Sequence, residues 1–419
     1  MSTWCAQFEL AGDAPVRSVT APAGESTARV LVRLHGEPLG YLSVPAAALE
    51  PDGLAREARQ LFGDRISAHL AAEGRDDAAP YPPAGEGCPN AVPTDELVTV
   101  VVCTRNRAGQ LAGCLERLRA LTYPQLEIVV VDNAPADDST RQAVAAVAGA
   151  DPRFRYVVEP RPGLSCARNR GLAEARGRLL AYTDDDVTVD PGWVHGLVKG
   201  FRSAPDVGCV TGLVATAAIS GAAEEYFDAR AASWSSRCAP QRFALDDAAA
   251  QDPLFPYSPG IFGTGANFAF DRAFLTRLGG FDEALGAGTR TRGGEDLDIF
   301  VRVLRAGRSI AYEPAALVWH HHRAGARDLL DQLYGYGTGL AAFMTKCLLQ
   351  PDTRREVLRR VPLGVRRIAG IRTSTQDRLA REAVAPRGAL LRELLGMAAG
   401  PALYLRARRD ALRGGGSPR

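Results

Sequence analysis

The stretch Arg178-Leu-Leu-Ala-Tyr-Thr-Asp184-Asp185-Asp186-Val187 is an apolar run that ends in three consecutive carboxylates. A buried strand often ends in this way when a binding site lies at its carboxyl edge. If the backbone stays extended, Asp184 and Asp186 point to one side and Asp185 to the other. Two carboxylates on one side repel each other unless a cation lies between them, and oxygen ligands suit Mg²⁺ or Mn²⁺. The stretch therefore predicts a site for a metal-bound diphosphate, with a solvated acidic turn as the alternative.

Two apolar, β-branched runs upstream, residues 97–103 and 126–132, predict strands buried on both faces of a parallel sheet. The helical pattern between them completes a βαβ unit with a right-handed connection. Ligands bind such sheets at the carboxyl ends of the strands, so we expect Thr104, Arg105 and Asp132 on the same rim as the acidic triplet. The first strand is not followed by G-x-G-x-x-G, which argues against a dinucleotide site.

Two further segments carry charges that are candidates for this rim. Arg168 lies in a predicted helix, residues 163–177, where it can reach a phosphate or a base; a surface arginine is the alternative. Glu295 and Asp296 begin another predicted helix, whose dipole favours carboxylates there. The dipole alone explains one of them, and a general base also needs such a fixed position.

Three consecutive histidines, His320, His321 and His322, follow a predicted strand over residues 310–319. Neutral imidazole is a common metal ligand. Because neighbouring side chains cannot all point inward, at most two of the three can join one site. A surface histidine cluster is the alternative.

Composition describes an ordinary globular chain of 419 residues, long enough for two or three units. The formal net charge of +2 gives no case for nucleic-acid binding. The eight cysteines form no C-x-x-C pair, and this pattern favours a reducing, cytoplasmic compartment. We expect neither a signal peptide at the start nor a membrane-spanning helix, which needs roughly 18–20 apolar residues.

The chain divides into four predicted segments. Residues 1–73 suggest a small α/β unit in which His35 and His69 are interpreted as surface residues, and residues 74–94 read as a linker. Residues 95–325 hold the motifs above. Residues 326–419 predict a helical extension whose arginine-rich amphipathic pattern is typical of membrane-surface or partner-binding helices, or of helices packed on their own domain. The terminal Gly-Gly-Gly-Ser-Pro-Arg predicts disorder.

Taken together, the motifs resemble those of glycosyltransferase family 2, which has the GT-A fold. The similarity covers roughly residues 97–325, in the order that the family uses. The matching pieces are Val100-Val-Val-Cys-Thr-Arg-Asn-Arg, Val129-Val-Val-Asp-Asn, Ala167-Arg-Asn-Arg-Gly, Tyr182-Thr-Asp-Asp-Asp, Gly279-Gly-Phe-Asp, Glu295-Asp-Leu-Asp and Val318-Trp-His. The fold that this implies is a Rossmann-like, mixed and mostly parallel sheet flanked by helices.

The resemblance also implies a role for each matched residue. Thr104 and Arg105 would line the nucleotide pocket, and Asp132 would contact the base. Arg168 would bind base or phosphate. The nucleotide sugar would lie against Asp184 and Asp185, while Asp186 and His320 would hold Mn²⁺ or Mg²⁺. Asp296, with Glu295 beside it, would be the base of an inverting transfer from a nucleotide-diphosphate sugar to an acceptor hydroxyl, on a glycan, a lipid-linked molecule or a small natural product. The family usually has proline where this chain has Cys103, so the exact nucleotide contacts stay open.

Two other functions remain open from the sequence. A nucleotidyltransferase also uses an α/β sheet and metal-bound phosphates, but the loop Thr104-Arg-Asn-Arg107 has only part of its glycine-rich, basic phosphate grip. A non-catalytic nucleotide-sugar binding module would keep the fold, but the intact acidic triplet and the Glu295-Asp296 pair argue against it. Peripheral contact with the inner face of a membrane through the C-terminal helices is also left open.

Overall fold

The computed structural model describes residues 2–12, 16–77, 80–85, 87–246, 252–378 and 386–413. Its first part is a three-stranded sheet with one helix: β1 (Thr3–Glu9), β2 (Thr27–Leu34), β3 (Glu37–Pro45) and α1 (Pro51–Ala72). A tight turn joins β2 to β3, and His35 and Gly36 there have φ of 51° and 81°, as a two-residue hairpin of this kind requires. The structure thus has the small α/β unit expected from the sequence and adds β1, which was not predicted.

The large sheet has nine strands: β4 (Val98–Thr104), β5 (Leu126–Asn133), β6 (Phe154–Glu159), β7 (Leu179–Asp184), β8 (Val187–Val189), β9 (Val207–Thr216), β10 (Gln241–Phe243), β11 (Asn267–Asp271) and β12 (Ser309–His320). The order is β10-β12-β9-β11-β7-β4-β5-β6, with β8 paired to β12. Six strands run parallel, while β8, β10 and β11 run antiparallel to their neighbours. The predicted mixed and mostly parallel sheet is confirmed.

Helices cover both faces of this sheet because its strands are apolar on both sides. They are α2 (Ala108–Arg119), α3 (Ser139–Ala148), α4 (Leu164–Glu174), α5 (Trp193–Arg202), α6 (Ala222–Ser235), α7 (Arg272–Arg277) and α8 (Glu295–Arg305). One apolar core includes Val100, Leu115 and Trp193, and the opposite core includes Val101, Phe268 and Phe300. Cys103 and Cys209, expected in the core, are buried.

Helix α6 was not expected from the sequence; its apolar residues form a cluster with residues of the helices that follow the large sheet. The acidic triplet does not stay extended, because the chain turns at Asp185 and Asp186 between β7 and β8. The alternation expected for an extended triplet therefore does not apply.

The small sheet is docked on the large one. Arg33 NH1 lies 2.6 Å from Asp190 Oδ2, and both side chains are nearly buried. Leu31 and Cys5 share an apolar cluster with Leu213 and Trp319 of the large sheet. Within the described part of residues 74–94, expected to be a linker, Tyr81 and Cys88 are buried, and Tyr81 belongs to the apolar core of the small unit.

Three long helices follow the large sheet: α9 (Ala326–Leu349), α10 (Pro351–Arg378) and α11 (Ala389–Arg413). α11 packs closely on α9 through glycines: a Cβ at Gly396 would lie 2.3 Å from Tyr334 O, and one at Gly400 would lie 2.9 Å from Thr338 O. Within the described residues, every helix is too short or too polar to cross a membrane. The terminal residues 414–419, predicted to be disordered, lie outside the described residues.

Candidate active site

Strand register brings the candidate residues of β4, β5 and β7 to one edge. Cys103 of β4 lies opposite Asp184 of β7, and Thr104 lies opposite Asp132 of β5. The predicted rim therefore exists because three parallel strands end at the same level.

The turn after β7 places Asp186 next to a histidine. β8 pairs antiparallel with the end of β12, and His320 lies opposite Val187, the residue that follows Asp186. Burial lowers the pKa of His320, and the Asp186 carboxylate opposes that shift. Neutral imidazole and carboxylate thus lie side by side, as the resemblance implied for the metal.

Asp185 points away from this pair into the protein. Thr104 Oγ1 donates to Asp185 Oδ2 at 2.7 Å, and Arg107 NH1 donates to Asp185 Oδ1 at 3.0 Å. Burial raises the pKa of Asp185, and these donors oppose the shift. With both oxygens occupied and the residue 5% exposed, Asp185 is suited to fix the turn and the loop after β4 rather than to touch a ligand.

Arg168 connects the triplet to α8. Its guanidinium donates to Glu295 Oε1 at 3.0 Å and to Gly265 O at 2.9 Å, and its NH2 lies 3.6 Å from Asp184 Oδ1. The side chain is buried against Phe268. The sequence predicted that Arg168 contacts a phosphate or a base. Its guanidinium already has three protein partners, so the geometry favours a role in positioning those partners.

Glu295 and Asp296 begin α8, as expected, but they face different partners. Glu295 is buried on Arg168, and burial followed by the Asp296 charge raises the pKa of Glu295. Asp296 is partly exposed; its Oδ2 accepts from Gly265 N at 3.2 Å and its Oδ1 from Leu297 N at 2.8 Å. These backbone donors hold an accessible carboxylate in one orientation.

Glycine fixes where α8 begins. Gly294 precedes Glu295 with φ 93°, and a Cβ there would lie 2.5 Å from Gly339 O of α9. The left-handed backbone and the close helix both require glycine at this position. The start of α8, and with it Asp296, is therefore set by its contact with α9.

The two remaining nucleotide candidates lie on the same rim with different accessibility. Arg105 is exposed. Asp132 is fully buried, and Tyr156 OH donates to its Oδ2 at 2.8 Å. Burial raises the pKa of Asp132, which the Tyr156 hydrogen bond opposes. Asp132 Oδ1 is buried without a hydrogen-bond partner, so a base could bond to this oxygen only if the side chains that cover it move.

The histidine triplet splits as the alternation argument required. His320 Nδ1 lies 3.1 Å from His322 Nδ1, whereas His321 is exposed. His322 is buried against Phe227, with its Nε2 3.0 Å from Thr216 Oγ1. Burial lowers the pKa of His322 to about 3, so this ring is neutral and supports His320.

Sequence reasoning missed Arg107 and Gly265. Arg107 NH1 contacts Asp185 and also lies 3.6 Å from Asp186 Oδ2. Arg107 ends the polar loop that begins at Thr104, and this position after a strand of the rim could have indicated a contact with the acidic triplet. The backbone of Gly265 contacts both Asp296 and Arg168.

The charges at this edge fit a divalent cation. Five carboxylates lie at this edge: Asp184, Asp185, Asp186, Glu295 and Asp296. In the described part of the chain, the guanidinium groups that form ion pairs with them are those of Arg107 and Arg168, so negative charge is in excess. Burial, followed by the charge of Asp186, raises the pKa of Asp184. Asp184, Asp186 and His320 do not converge as three ligands within the described residues, but Mg²⁺ commonly takes only one or two protein carboxylates and completes its shell with phosphate and water.

Two family models and several known proteins match this chain. The model of glycosyl transferase family 2 matches residues 99–235, and that of glycosyl transferase family group 2 matches residues 179–398. The chain is 31% identical to the pre-mycofactocin glycosyltransferase of Mycobacterium tuberculosis over 311 residues, which cover 74% of this chain and 58% of that protein. It is also 31% identical to the succinoglycan biosynthesis protein ExoO of Rhizobium meliloti, over 57% of this chain and 64% of that one.

Among solved structures, the mannosyltransferase PcManGT from Pyrobaculum calidifontis, in complex with GDP-Man and Mn²⁺, is similar with a TM-score of 0.47 and 21% identity, over 77% of this chain and 88% of that one. This likeness is weaker than the family match, which extends over more than half of the chain. The ordered motifs and the family models lead to the same conclusion: the chain belongs to glycosyltransferase family 2.

Proposed function

We propose that the chain transfers a sugar from a nucleoside-diphosphate sugar to an acceptor hydroxyl, with a divalent cation bound and with inversion at the anomeric carbon. The observation that carries the proposal is the geometry of Asp296: a partly exposed carboxylate, oriented by two backbone N–H groups, at the edge that also holds Asp184, Asp186 and His320. Family membership supports it. The chain spans 58% of the length of its pre-mycofactocin relative, so the activity of that whole protein is not assumed here.

In the proposed reaction Asp296 acts as the general base. Its carboxylate accepts the proton of the acceptor hydroxyl while that oxygen bonds to the anomeric carbon. The bond from that carbon to the diphosphate breaks at the same time, and the nucleoside diphosphate leaves. Attack on the face opposite the leaving group inverts the configuration. General-base catalysis of this kind contributes roughly 10²–10⁴-fold.

Asp186 and His320 would hold Mn²⁺ or Mg²⁺, with Asp184 beside them. The cation, when bound, supplies positive charge that stabilises the leaving diphosphate. The excess of carboxylates at this edge attracts a cation. Burial lowers the pKa of His320, so its imidazole stays neutral and can bind the cation. Arg107 is half-exposed and contacts Asp185 and Asp186. A cation bound to Asp186 would replace the contact between Arg107 and that carboxylate, and the guanidinium could then turn toward a phosphate.

Arg168 and Glu295 would act by positioning. Their buried ion pair joins α4 to the start of α8, and Arg168 also fixes the Gly265 backbone that contacts Asp296. Thr104 and Asp185 would position the loop after β4, so that Arg105 flanks the nucleotide. Contact between Asp132 and the base, as the resemblance implies, would use the buried Oδ1, which has no hydrogen-bond partner, and would require the side chains that cover it to move.

The test combines donor binding with product analysis. Nucleoside diphosphates and nucleotide sugars are screened by thermal shift with and without Mn²⁺ or Mg²⁺, because a ligand that binds only the folded chain raises its stability. The donor found is then incubated with candidate acceptors, including pre-mycofactocin because of the relative named above. Release of a nucleoside diphosphate with a glycosylated product supports the proposal. Release of inorganic diphosphate would indicate a nucleotidyltransferase, and binding without transfer to any acceptor would favour a binding module.

The cation should bind more weakly at low pH. A raised carboxylate pKa means that a bound proton stabilises the folded, cation-free chain. For Asp184 this contribution is complete below the ordinary pKa of about 4 and is lost as the pH rises through the raised value. A cation competes with that proton, so the rise in Tm caused by Mn²⁺ should be large at about pH 8 and shrink toward about pH 5. A Mn²⁺ effect that is constant over this range would contradict the assignment.

We also propose peripheral membrane contact through α11. One face of this helix packs on α9, while leucines on another face are exposed: Leu390, Leu391, Leu394, Leu395, Leu405 and Leu412. Exposed arginines accompany them, including Arg406, Arg408 and Arg409. Apolar side chains beside arginines fit the interface of an anionic bilayer.

Replacing Leu391 and Leu395 together by serine should therefore abolish co-flotation with phosphatidylglycerol vesicles. Leu61→Ser removes an equally exposed leucine from α1 and should leave flotation unchanged. Vesicles of phosphatidylcholine alone should bind the chain more weakly, because the arginines then have no anionic partner. Absence of flotation by the unmodified chain with anionic vesicles would overturn this part of the proposal.

A further inference from the structure

Four side chains with metal-ligand chemistry converge in the small N-terminal unit, away from the rim described above. His35 lies in the turn between β2 and β3, His69 and Glu73 lie one helical turn apart at the end of α1, and Cys88 lies in the segment that follows. One ligand atom from each lies within 4.8 Å of all the others, and this is the one such group of three or more found in the described part of the chain. The interpretation of His35 and His69 as surface residues was wrong: both side chains are 1% exposed.

Two of the distances match a tetrahedral zinc ion. His35 Nδ1 lies 3.2 Å from His69 Nε2, and Cys88 Sγ lies 3.6 Å from His69 Nε2. Zinc bond lengths imply about 3.3 Å between two nitrogen ligands and about 3.6 Å between nitrogen and sulfur. Glu73 Oε1 lies 3.1 Å from His69 Nε2 and 2.5 Å from His35 Nδ1. The 2.5 Å separation is that of a hydrogen bond, and it would widen to roughly 3.3 Å when both atoms bind one zinc ion.

The outer hydrogen bonds decide which nitrogen of each ring faces inward. His35 Nε2 lies 2.8 Å from Pro82 O, which can only accept, so Nε2 carries the proton. His69 Nδ1 lies 2.8 Å from Glu37 Oε2, which as a carboxylate also only accepts. In the neutral rings the inward atoms are therefore lone pairs. A carboxylate or carbonyl on the outer nitrogen is the usual support of a metal-bound histidine.

The inward nitrogens, the Glu73 carboxylate and the Cys88 thiol lie so close together that either shared protons or a cation must lie between them. Glu73 has no exposed side-chain surface, so water cannot take this place. Zn²⁺ would balance the charge, because one thiolate and one carboxylate cancel its two positive charges and leave the buried cluster neutral. Imidazole and thiolate ligands favour zinc over Mg²⁺ or Mn²⁺.

We propose that His35, His69, Glu73 and Cys88 form a structural zinc site. All four tetrahedral positions come from the protein, which is typical of structural rather than catalytic zinc. The ion would tie together the β2–β3 turn, the end of α1 and the segment around Cys88.

The site would also stabilise the junction between the two sheets. Asn90 Nδ2 donates to His35 O at 3.0 Å, and its Oδ1 accepts from Lys199 Nζ of α5 at 2.7 Å. Lys199 in turn lies 3.5 Å from Glu313 of β12. A zinc ion that fixes His35 and Cys88 would therefore hold the small unit in place on the large sheet.

The first test is elemental analysis of the full chain, purified without chelator or affinity metal. We expect about one zinc per chain, with stoichiometric loss in Cys88→Ser and in His69→Ala. Cys5→Ala, another buried cysteine of the small unit, and His321→Ala, at the exposed histidine of the other cluster, should retain zinc. So should Asp186→Asn, which separates this site from the proposed donor site. Zinc-free wild-type protein, or full zinc in Cys88→Ser and His69→Ala, would overturn the proposal.

A second measurement begins with the wild-type chain, so its main result does not depend on how well a variant folds. Chain refolded or expressed with Co²⁺ should show the intense visible bands of a tetrahedral ion and a near-ultraviolet thiolate charge-transfer band. Cys88→Ser should remove the charge-transfer band, whereas Cys5→Ala should keep it. The spectrum of six-coordinate cobalt in the wild-type chain, or a thiolate band that persists in Cys88→Ser, would count against the site.

Discussion

Asp296→Asn is expected to lower sugar transfer by at least about 100-fold while leaving metal-dependent nucleotide binding unchanged. The amide has the shape of the carboxylate but cannot take the proton of the acceptor hydroxyl. Oδ1 and Oδ2 of Asp296 each accept a hydrogen bond from a backbone N–H group, Leu297 N and Gly265 N respectively, and the residue is partly exposed. The NH₂ group of asparagine cannot accept, so the substitution loses one of these two bonds and should cost about 0.5–1.5 kcal/mol of stability.

The measurement is steady-state transfer with the donor found by the thermal-shift screen, together with the nucleotide-induced rise in Tm. Glu116→Gln makes the same chemical change at an exposed carboxylate of α2 and should leave both quantities unchanged. Transfer at the wild-type rate by Asp296→Asn would remove this residue from the role of base. Loss of nucleotide binding together with transfer would indicate a different, positioning role.

Asp186→Asn is expected to abolish the cation-dependent part of donor binding. At a nucleotide concentration of about 100 times Kd, the wild-type chain with Mn²⁺ should gain about 2.7 kcal/mol of stability, and the variant should lose most of this gain. Transfer should fall by more than about 10–100-fold, the range seen when only an outer partner of a metal ligand is removed. The physical reason is that a neutral amide is a poorer ligand than a carboxylate for a hard cation.

Thermal shift with a nucleoside diphosphate, with and without Mn²⁺, measures this effect directly. Asp76→Asn changes an exposed aspartate outside the large sheet and should keep the full cation effect. A wild-type response of Asp186→Asn to Mn²⁺ would show that the cation binds elsewhere. The proposed zinc ligands lie on the small unit and on the segment that follows it. The zinc content of Asp186→Asn and of Asp76→Asn should therefore match that of the wild type.

The strands that form the rim were predictable because burial on both faces requires continuous apolar runs. β4, β5 and β7 were expected close to their observed bounds, and so was the shared edge at which Thr104, Asp132 and Asp184 lie. β1, β11 and α6 were not predicted. β11 is a short strand whose pairing with β7 and β9 comes from segments distant in the chain, so no local pattern marks it.

Orientation was harder to predict than position. Arg168 was expected to face a ligand, but the structure buries it on Glu295, Gly265 and Asp184. The partners come from three separate segments, and sequence spacing gives no information about which of them an arginine will meet. The same holds for His35 and His69, whose partners Glu73 and Cys88 are assembled by a turn, a helix end and a returning segment.

The sequence by itself determined the family, the mixed sheet and the edge at which the acidic triplet ends, because these follow from local apolar patterns and short ordered motifs. Only the tertiary structure decided that the chain turns at Asp185, that β8 pairs with β12, and that Asp186 therefore lies beside His320. It also decided that Asp185 and Glu295 are buried on arginines, whereas Asp184, Asp186 and Asp296 stay partly exposed. Pairing and burial depend on contacts between distant segments, and their energies are set only when the whole sheet and its helices are packed.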